Sequence, residues 1–170
     1  LASAAFVCTL TLGCGSSTGT EPAGSGRPAG AAHVRGPDGA ERSILEFGRR
    51  ASREEGKAVV AAMRRFVTAL GAGRWEAVCH GMARAARAEI GGFAPAGHRG
   101  CKAAAARIVT RLARARAVRA ADAAIADIRV HGDEGIVIFR AAGEWRFLAM
   151  RREGRSWKAT ALAPGVPLRP

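Results

Sequence analysis

Residues 124–162 read AIADIRV-HGDE-GIVIFRAA-G-EWRFLAMRR-EGR-SWKATAL. Apolar and polar residues alternate within the runs 124–130, 135–142, 144–152 and 156–162, and a period of two predicts four strands. Their connections, His131-Gly132-Asp133-Glu134, Ala142-Gly143 and Glu153-Gly154-Arg155, carry the Gly and Asp that tight hairpins need. Strands joined this way form an antiparallel meander. Ile128 and Val130 are expected to face a helical layer, with Asp127 and Arg129 on the opposite side. Leu148, Met150, Trp157 and Ala159 are the further inner positions, provided the register holds, because a slip of one residue would reverse every face.

Upstream of the strands the period is helical. Ser52-Arg53-Glu54-Glu55 fits a capping box, with Ser52 as N-cap and Glu55 reaching back to it. Val59, Met63, Phe66, Val67 and Leu70 follow at helical spacing, and Gly71 and Gly73 end the run. Trp75, Val78, Cys79 and Met82 form the buried stripe of a second helix that continues, with a break, to Ile90. A third helix is expected from about Cys101 to Arg116, with Ala105, Ile108, Leu112 and Ala115 facing inward. Ile44-Leu45-Glu46-Phe47-Gly48 is a short apolar patch expected to dock as a strap.

Three helices followed by a four-stranded meander predict an α+β domain with the helices on one sheet face. This arrangement resembles the nuclear transport factor 2-like superfamily, specifically its secreted, cone-shaped members in bacterial lipoproteins. The resemblance is carried by Phe66 to Trp75 (FVTALGAGRW) leading to Cys79, by Cys101, by Gly132-Asp133 and by the ending Glu153-Gly154-Arg155-Ser156-Trp157-Lys158. It covers roughly residues 54–163. It implies a sheet curled around the helices to leave a pocket, and a homodimer through the outer sheet face. Enzymes of that superfamily, such as ketosteroid isomerase and scytalone dehydratase, line the cone with Asp, His and Tyr. Tyrosine is absent here and the inner positions are apolar, which argues against catalysis.

The chain of 170 residues suits one domain with a core of its own. It carries 27 basic against 14 acidic residues, a formal net charge of +13. Such a surface attracts phosphates, anionic lipid or acidic glycans. Arginine supplies all but Lys57, Lys102 and Lys158 of these cations, and with so many Ala and Gly the bias reads as compositional.

Leu1 to Gly13 (LASAAFVCTLTLG) is uncharged and mostly apolar or small. It is shorter than the about 20 residues a spanning helix needs and fits the apolar core of a secretory signal, with a truncated start expected because no basic leading region is visible. Thr11-Leu12-Gly13-Cys14-Gly15-Ser16-Ser17 resembles the lipobox of bacterial lipoproteins, in which a small residue precedes the acylated cysteine. Gly13 and Cys14 match; Leu12 departs from the usual order, in which leucine sits one place earlier. The expected organisation is a signal over 1–13, a lipidated Cys14 with a flexible linker over 14–42, and the folded domain over 43–170. The linker is rich in Gly, Ser, Thr, Pro and Ala and cannot bury enough apolar area to offset its ordering entropy. The expected location is the outer face of the cell membrane, held there by lipid.

Export brings an oxidising compartment, and beyond Cys8 and Cys14 only Cys79 and Cys101 remain. They are expected to form a structural disulfide. A redox pair would favour C-x-x-C spacing, and a metal site would need more neighbouring ligands. His80 points about 100° away from Cys79 around its helix, poor geometry for a Cys–His dyad. His98 and His131 lie in connections and read as surface residues. Arg107, Arg111 and Arg114 form a basic stripe at i, i+4 and i+7 of the third helix, either an anion grip or the solvated face of an amphipathic helix. No nucleic-acid motif accompanies it, aromatic residues are 5%, and export removes nucleic acid as a partner. No phosphate loop, serine elbow or metal cluster is legible, and no cofactor is expected.

Three readings follow. The first is a non-catalytic envelope lipoprotein binding a small apolar ligand or another envelope protein. The second is an isomerase- or dehydratase-type enzyme, with Asp127 as its least poor acid or base. The third is an arginine-rich adaptor for anionic polymer or lipid.

Overall fold

The computed structural model describes residues 43, 44 and 46–168; the signal, Cys14 and the linker lie outside the described residues. Ser52 Oγ accepts from the Glu55 N–H at 3.3 Å, while the Glu55 carboxylate accepts from the Ser52 N–H at 2.9 Å. This reciprocal box satisfies two otherwise unpaired donors and starts helix α1 (Arg53–Gly71). Val59, Met63, Phe66, Val67 and Leu70 of α1 are all buried, as their spacing predicts.

Helices α2 (Trp75–Gly81), α3 (Arg84–Gly91), α4 (Cys101–Ile108) and α5 (Arg111–Ala121) come next. The meander consists of β2 (Ala124–His131), β3 (Glu134–Ala141), β4 (Glu144–Glu153) and β5 (Ser156–Ala159). Two-residue strands β1 (Arg49–Arg50) and β6 (Val166–Pro167) flank it in sequence. The strand order is β1-β2-β3-β4-β5, antiparallel throughout, and β6 also pairs with β4. The domain is α+β.

The register sets the faces. Ile128 pairs with Val137, Val137 with Leu148, Gly135 with Met150, and Met150 with Ala159. Paired residues share a face, so these side chains form the inner surface against which α1 packs. Asp127 pairs with Ile138 and therefore lies outside. The register shifts between Ile125 and Asp127, making Ala126 a bulge residue. That extra residue returns Ile125, opposite Phe139, to the inner face. Gly135 is needed on this face because a Cβ there would stand 2.9 Å from the Trp157 ring.

Three expectations are corrected. Between Arg53 and Ala121 the described residues form five helices, not three, and the expected third helix is two. Val109 is extended, and Thr110 begins a new helix by accepting from the Ala113 N–H at 3.1 Å. The chain turns at that point, so the stripe read across it does not persist. Ala105 is buried as expected, but Ile108 is 41% exposed, Leu112 is 56% exposed, and Ala115 is also exposed. The buried positions are small: Cys101, Ala104 and Ala105 of α4, and Ala117 and Ala120 of α5. The fourth meander strand ends at Ala159, not Leu162, and the sheet gains the two short strands.

Small residues bring α1 and α5 together. A Cβ on Gly71 would meet Val118 Cγ2 at 2.8 Å, and Arg114 Nε donates to the Gly71 carbonyl at 3.1 Å. At one side of the sheet, Met82 bridges Ala159 and the Ala83 N–H donates to the Ala159 carbonyl at 2.9 Å. Glu153 then caps α3, accepting from the Arg84 N–H at 2.7 Å. At the other side the strap leads into β1, which pairs with β2. Arg129 donates to the Phe47 and Gly48 carbonyls, and the Phe47 ring meets His131 edge-on at 6.2 Å.

Candidate functional site

Cys79 on α2 and Cys101, the first residue of α4, are joined in a disulfide with Cα atoms 6.0 Å apart. Both are buried. The bridge closes the segment that contains α3 and the glycine-rich turn before Cys101, where Gly97 and Gly100 both have positive φ. Loop-closure entropy over this separation of 22 residues is worth about 3 kcal/mol. Its place is structural: no histidine or acid is bonded to it.

The inner sheet face is where a cone pocket would open. Val137, Phe139, Leu148, Met150 and Trp157 occupy its middle, each buried, packed with Val59, Met63, Phe66 and Leu70 of α1. The buried charge on this face is Arg146, held by the Gly165 carbonyl at 2.8 Å and by Glu144 at 3.0 Å. Asp127 sits on the other face beside Arg50 at 3.3 Å and Arg129 at 3.6 Å. It therefore faces away from any space between sheet and helices.

The three described histidines do not converge. His80, His98 and His131 are exposed in α2, the loop before α4 and the end of β2. Among the described residues no group of three His, Cys, Asp or Glu side chains could hold a metal ion. No helix among them is long and apolar enough to cross a membrane.

The arginine stripe is divided by the helix break. Arg107 ends on α4, while Arg111 and Arg114 stand on α5. Arg107 and Arg111 are exposed, but Arg114 is half-buried with its Nε committed to Gly71. It ties two helices together. At the strap, Arg49 grips Glu55 through contacts of 2.8 and 2.9 Å. These bonds, helped by the Ser52 N–H, hold the Glu55 carboxyl at about 2, down from 4.5.

A separate set of cations converges where no single run of sequence shows it. Between α1, α2 and β5 lies an open cleft of about 740 Å³. Arg64 and Arg65 reach it from α1, Arg74 from the α1–α2 turn, His80 from α2, and Lys158 from β5. Phe66, Gly81 and Trp157 contribute to the floor, and no carboxylate lines the cleft. Gly81 permits the close approach of α2, since a Cβ there would lie 3.1 Å from Phe66 Cδ2. Lys158 Nζ donates to the His80 carbonyl at 2.6 Å, tying the two walls.

Comparison of the chain with protein families, with curated proteins and with solved structures yields no match.

Proposed function

We propose that this chain is an exported cell-envelope lipoprotein, anchored through Cys14, whose α+β domain is a non-catalytic binding module of nuclear transport factor 2-like build. The observation that carries the reading is the chemistry of the inner sheet face. An enzyme of that build would keep an acid or base there, whereas this face presents Phe139, Leu148, Met150 and Trp157. The Cys79–Cys101 bridge suits an oxidising compartment. The bulge at Ala126 is a device that bends a strand, as a cone-like sheet requires. On the outer face, Phe147 pairs with Ile138 two residues along β4 from Trp145, which is 45% exposed. A second copy would pack there in a homodimer of that build.

The test is expression of the full chain in a bacterial host with and without Cys14→Ser. The reading expects an N-terminal mass increased by acyl groups and recovery in the membrane fraction, both lost in the variant. An unmodified Cys14, or membrane recovery indifferent to the substitution, would refute the anchor. Conversion of a ketosteroid or other enolisable substrate that is lost on Asp127→Asn would refute the non-catalytic module.

A further inference from the structure

The basic cleft between α1, α2 and β5 has a chemistry that the anchor and the sheet leave unused. Solvated arginines are common on helix faces, and one helix with a charged side needs no ligand to account for it. This cluster differs in two respects. Its cations come from three elements, Arg64 and Arg65 of α1, Arg74 of the following turn and the sequence-distant Lys158 of β5. They border one concave cleft of about 740 Å³ instead of radiating from a convex surface. No carboxylate lines the cleft to neutralise them.

Like charges gathered around a concave, partly apolar wall repel one another and focus a positive potential into the space between them. An anion placed there relieves the repulsion. Guanidinium forks fit tetrahedral oxyanions through paired N–H donors, and ammonium groups add a point charge. Thr68 and Ser156, also in the lining, offer hydroxyl donors of a kind that commonly completes such a shell. Three guanidiniums and one ammonium call for more charge than a single carboxylate carries.

We infer that this cleft is a binding site for a phosphoryl group bearing more than one negative charge, either free or at the end of a larger molecule such as a lipid headgroup. Arg64, Arg65 and Arg74 are the principal ligands, and Lys158, fixed by the His80 carbonyl, supplies the opposite wall. The inference deepens the binding-module reading by assigning it a ligand class, and it relocates the anion site away from Arg107 and Arg111. Association should weaken as salt rises, because the groups are exposed.

The experiment is titration of the purified full chain with inorganic pyrophosphate, followed by calorimetry and by amide shifts. The Arg64→Glu/Arg74→Glu variant is compared with Arg107→Glu/Arg111→Glu, which changes net charge equally on exposed residues outside the cleft. The cleft variant should lose about tenfold or more in affinity, the scale of a lost charge-assisted hydrogen bond, while the control stays within about threefold. Unchanged circular dichroism and an intact disulfide establish that both variants fold. No pyrophosphate binding by the unsubstituted chain overturns the proposal, as does equal weakening in both variants, which would mean attraction to overall charge. Vesicles of phosphatidic acid identify the source. Binding displaced by pyrophosphate supports a headgroup, and pyrophosphate binding without vesicle binding supports a free phosphoryl ligand. A chain that is acylated but ignores pyrophosphate sinks this site and leaves the anchored module standing. A chain that binds pyrophosphate but is never acylated does the reverse.

Discussion

The two halves of the helical layer are held by different means. Where α1 meets the sheet, large side chains fill the space: Phe66, Met63 and Leu70 against Phe139 and Met150, all fully buried. In α4 and α5 the buried side chains are alanines and the bridged Cys101, and Ile108, Leu112 and Val118 are left outside. Buried aromatic and branched chains carry most of the apolar area and hence most of the hydrophobic gain. Alanine gives little area but permits close backbone approach. The alanine layer therefore depends more on covalent and polar ties: the Cys79–Cys101 bridge, and the bond from Arg114 to Gly71.

The largest effect should come from the sheet side. Phe139→Ala removes a fully buried ring and should cost about 3–5 kcal/mol in urea denaturation. A loss below about 1 kcal/mol would abolish the distinction between the layers. Replacing Cys79 and Cys101 together by Ala should cost about 3 kcal/mol. Hydrogen exchange in that variant should rise first in α3 and α4, while α1 and β3 stay protected; uniform loss of protection would show that the layers unfold as one.

Gly71→Ala tests the close approach. Glycine to alanine inside a helix ordinarily gains about 0.5–1 kcal/mol, but here the new Cβ would lie 2.8 Å from Val118 Cγ2 and 3.2 Å from the Val118 nitrogen. The expected result is a loss of about 1–3 kcal/mol, partly recovered by adding Val118→Ala. A net gain would mean that α5 yields freely. Leu112→Ala should change stability by no more than about 0.5 kcal/mol, against about 2–5 for a buried leucine. A large loss would restore the inward orientation that the sequence pattern suggests.

The smallest effect is expected at the strap. The Glu55 carboxyl is held at about 2 in the fold and 4.5 is its ordinary value. A depressed pKa contributes stability that is present above pH 4.5 and lost as the pH falls toward about 2. Denaturation midpoints measured down that window should fall less steeply in Glu55→Gln. Identical slopes would detach the strap from this carboxylate.

The same contrast explains what could be read from sequence. The meander was legible because its alternation and its Gly-containing hairpins agree at every turn, so faces followed from register. The capping box of α1 and the stripe of α2 were legible for the same reason. The break before Thr110 was missed because apolar residues at Ala105, Ile108, Leu112 and Ala115 keep a helical period straight through it. The signals against that reading were a β-branched Val109 followed by an N-cap threonine, two local preferences that the longer period obscured. The basic cleft had no linear signature, since residues 64–65, 74 and 158 become neighbours only after folding. Asp127, by contrast, falls on the face its alternation predicts.

The sheet's flanks have a consequence for crowded surroundings. An unpaired strand invites the same strand of another molecule, the usual first step toward fibrils. Here the end of β2 at Arg129 and Val130 is paired with Arg49–Arg50, a segment too short and too cationic to recruit a further strand. Ala159 of β5 is taken by the chain at Met82 and Ala83, and β4 gains β6. With those positions engaged, less of each border is open to another copy, which disfavours growth of one sheet into the next where many copies stand side by side.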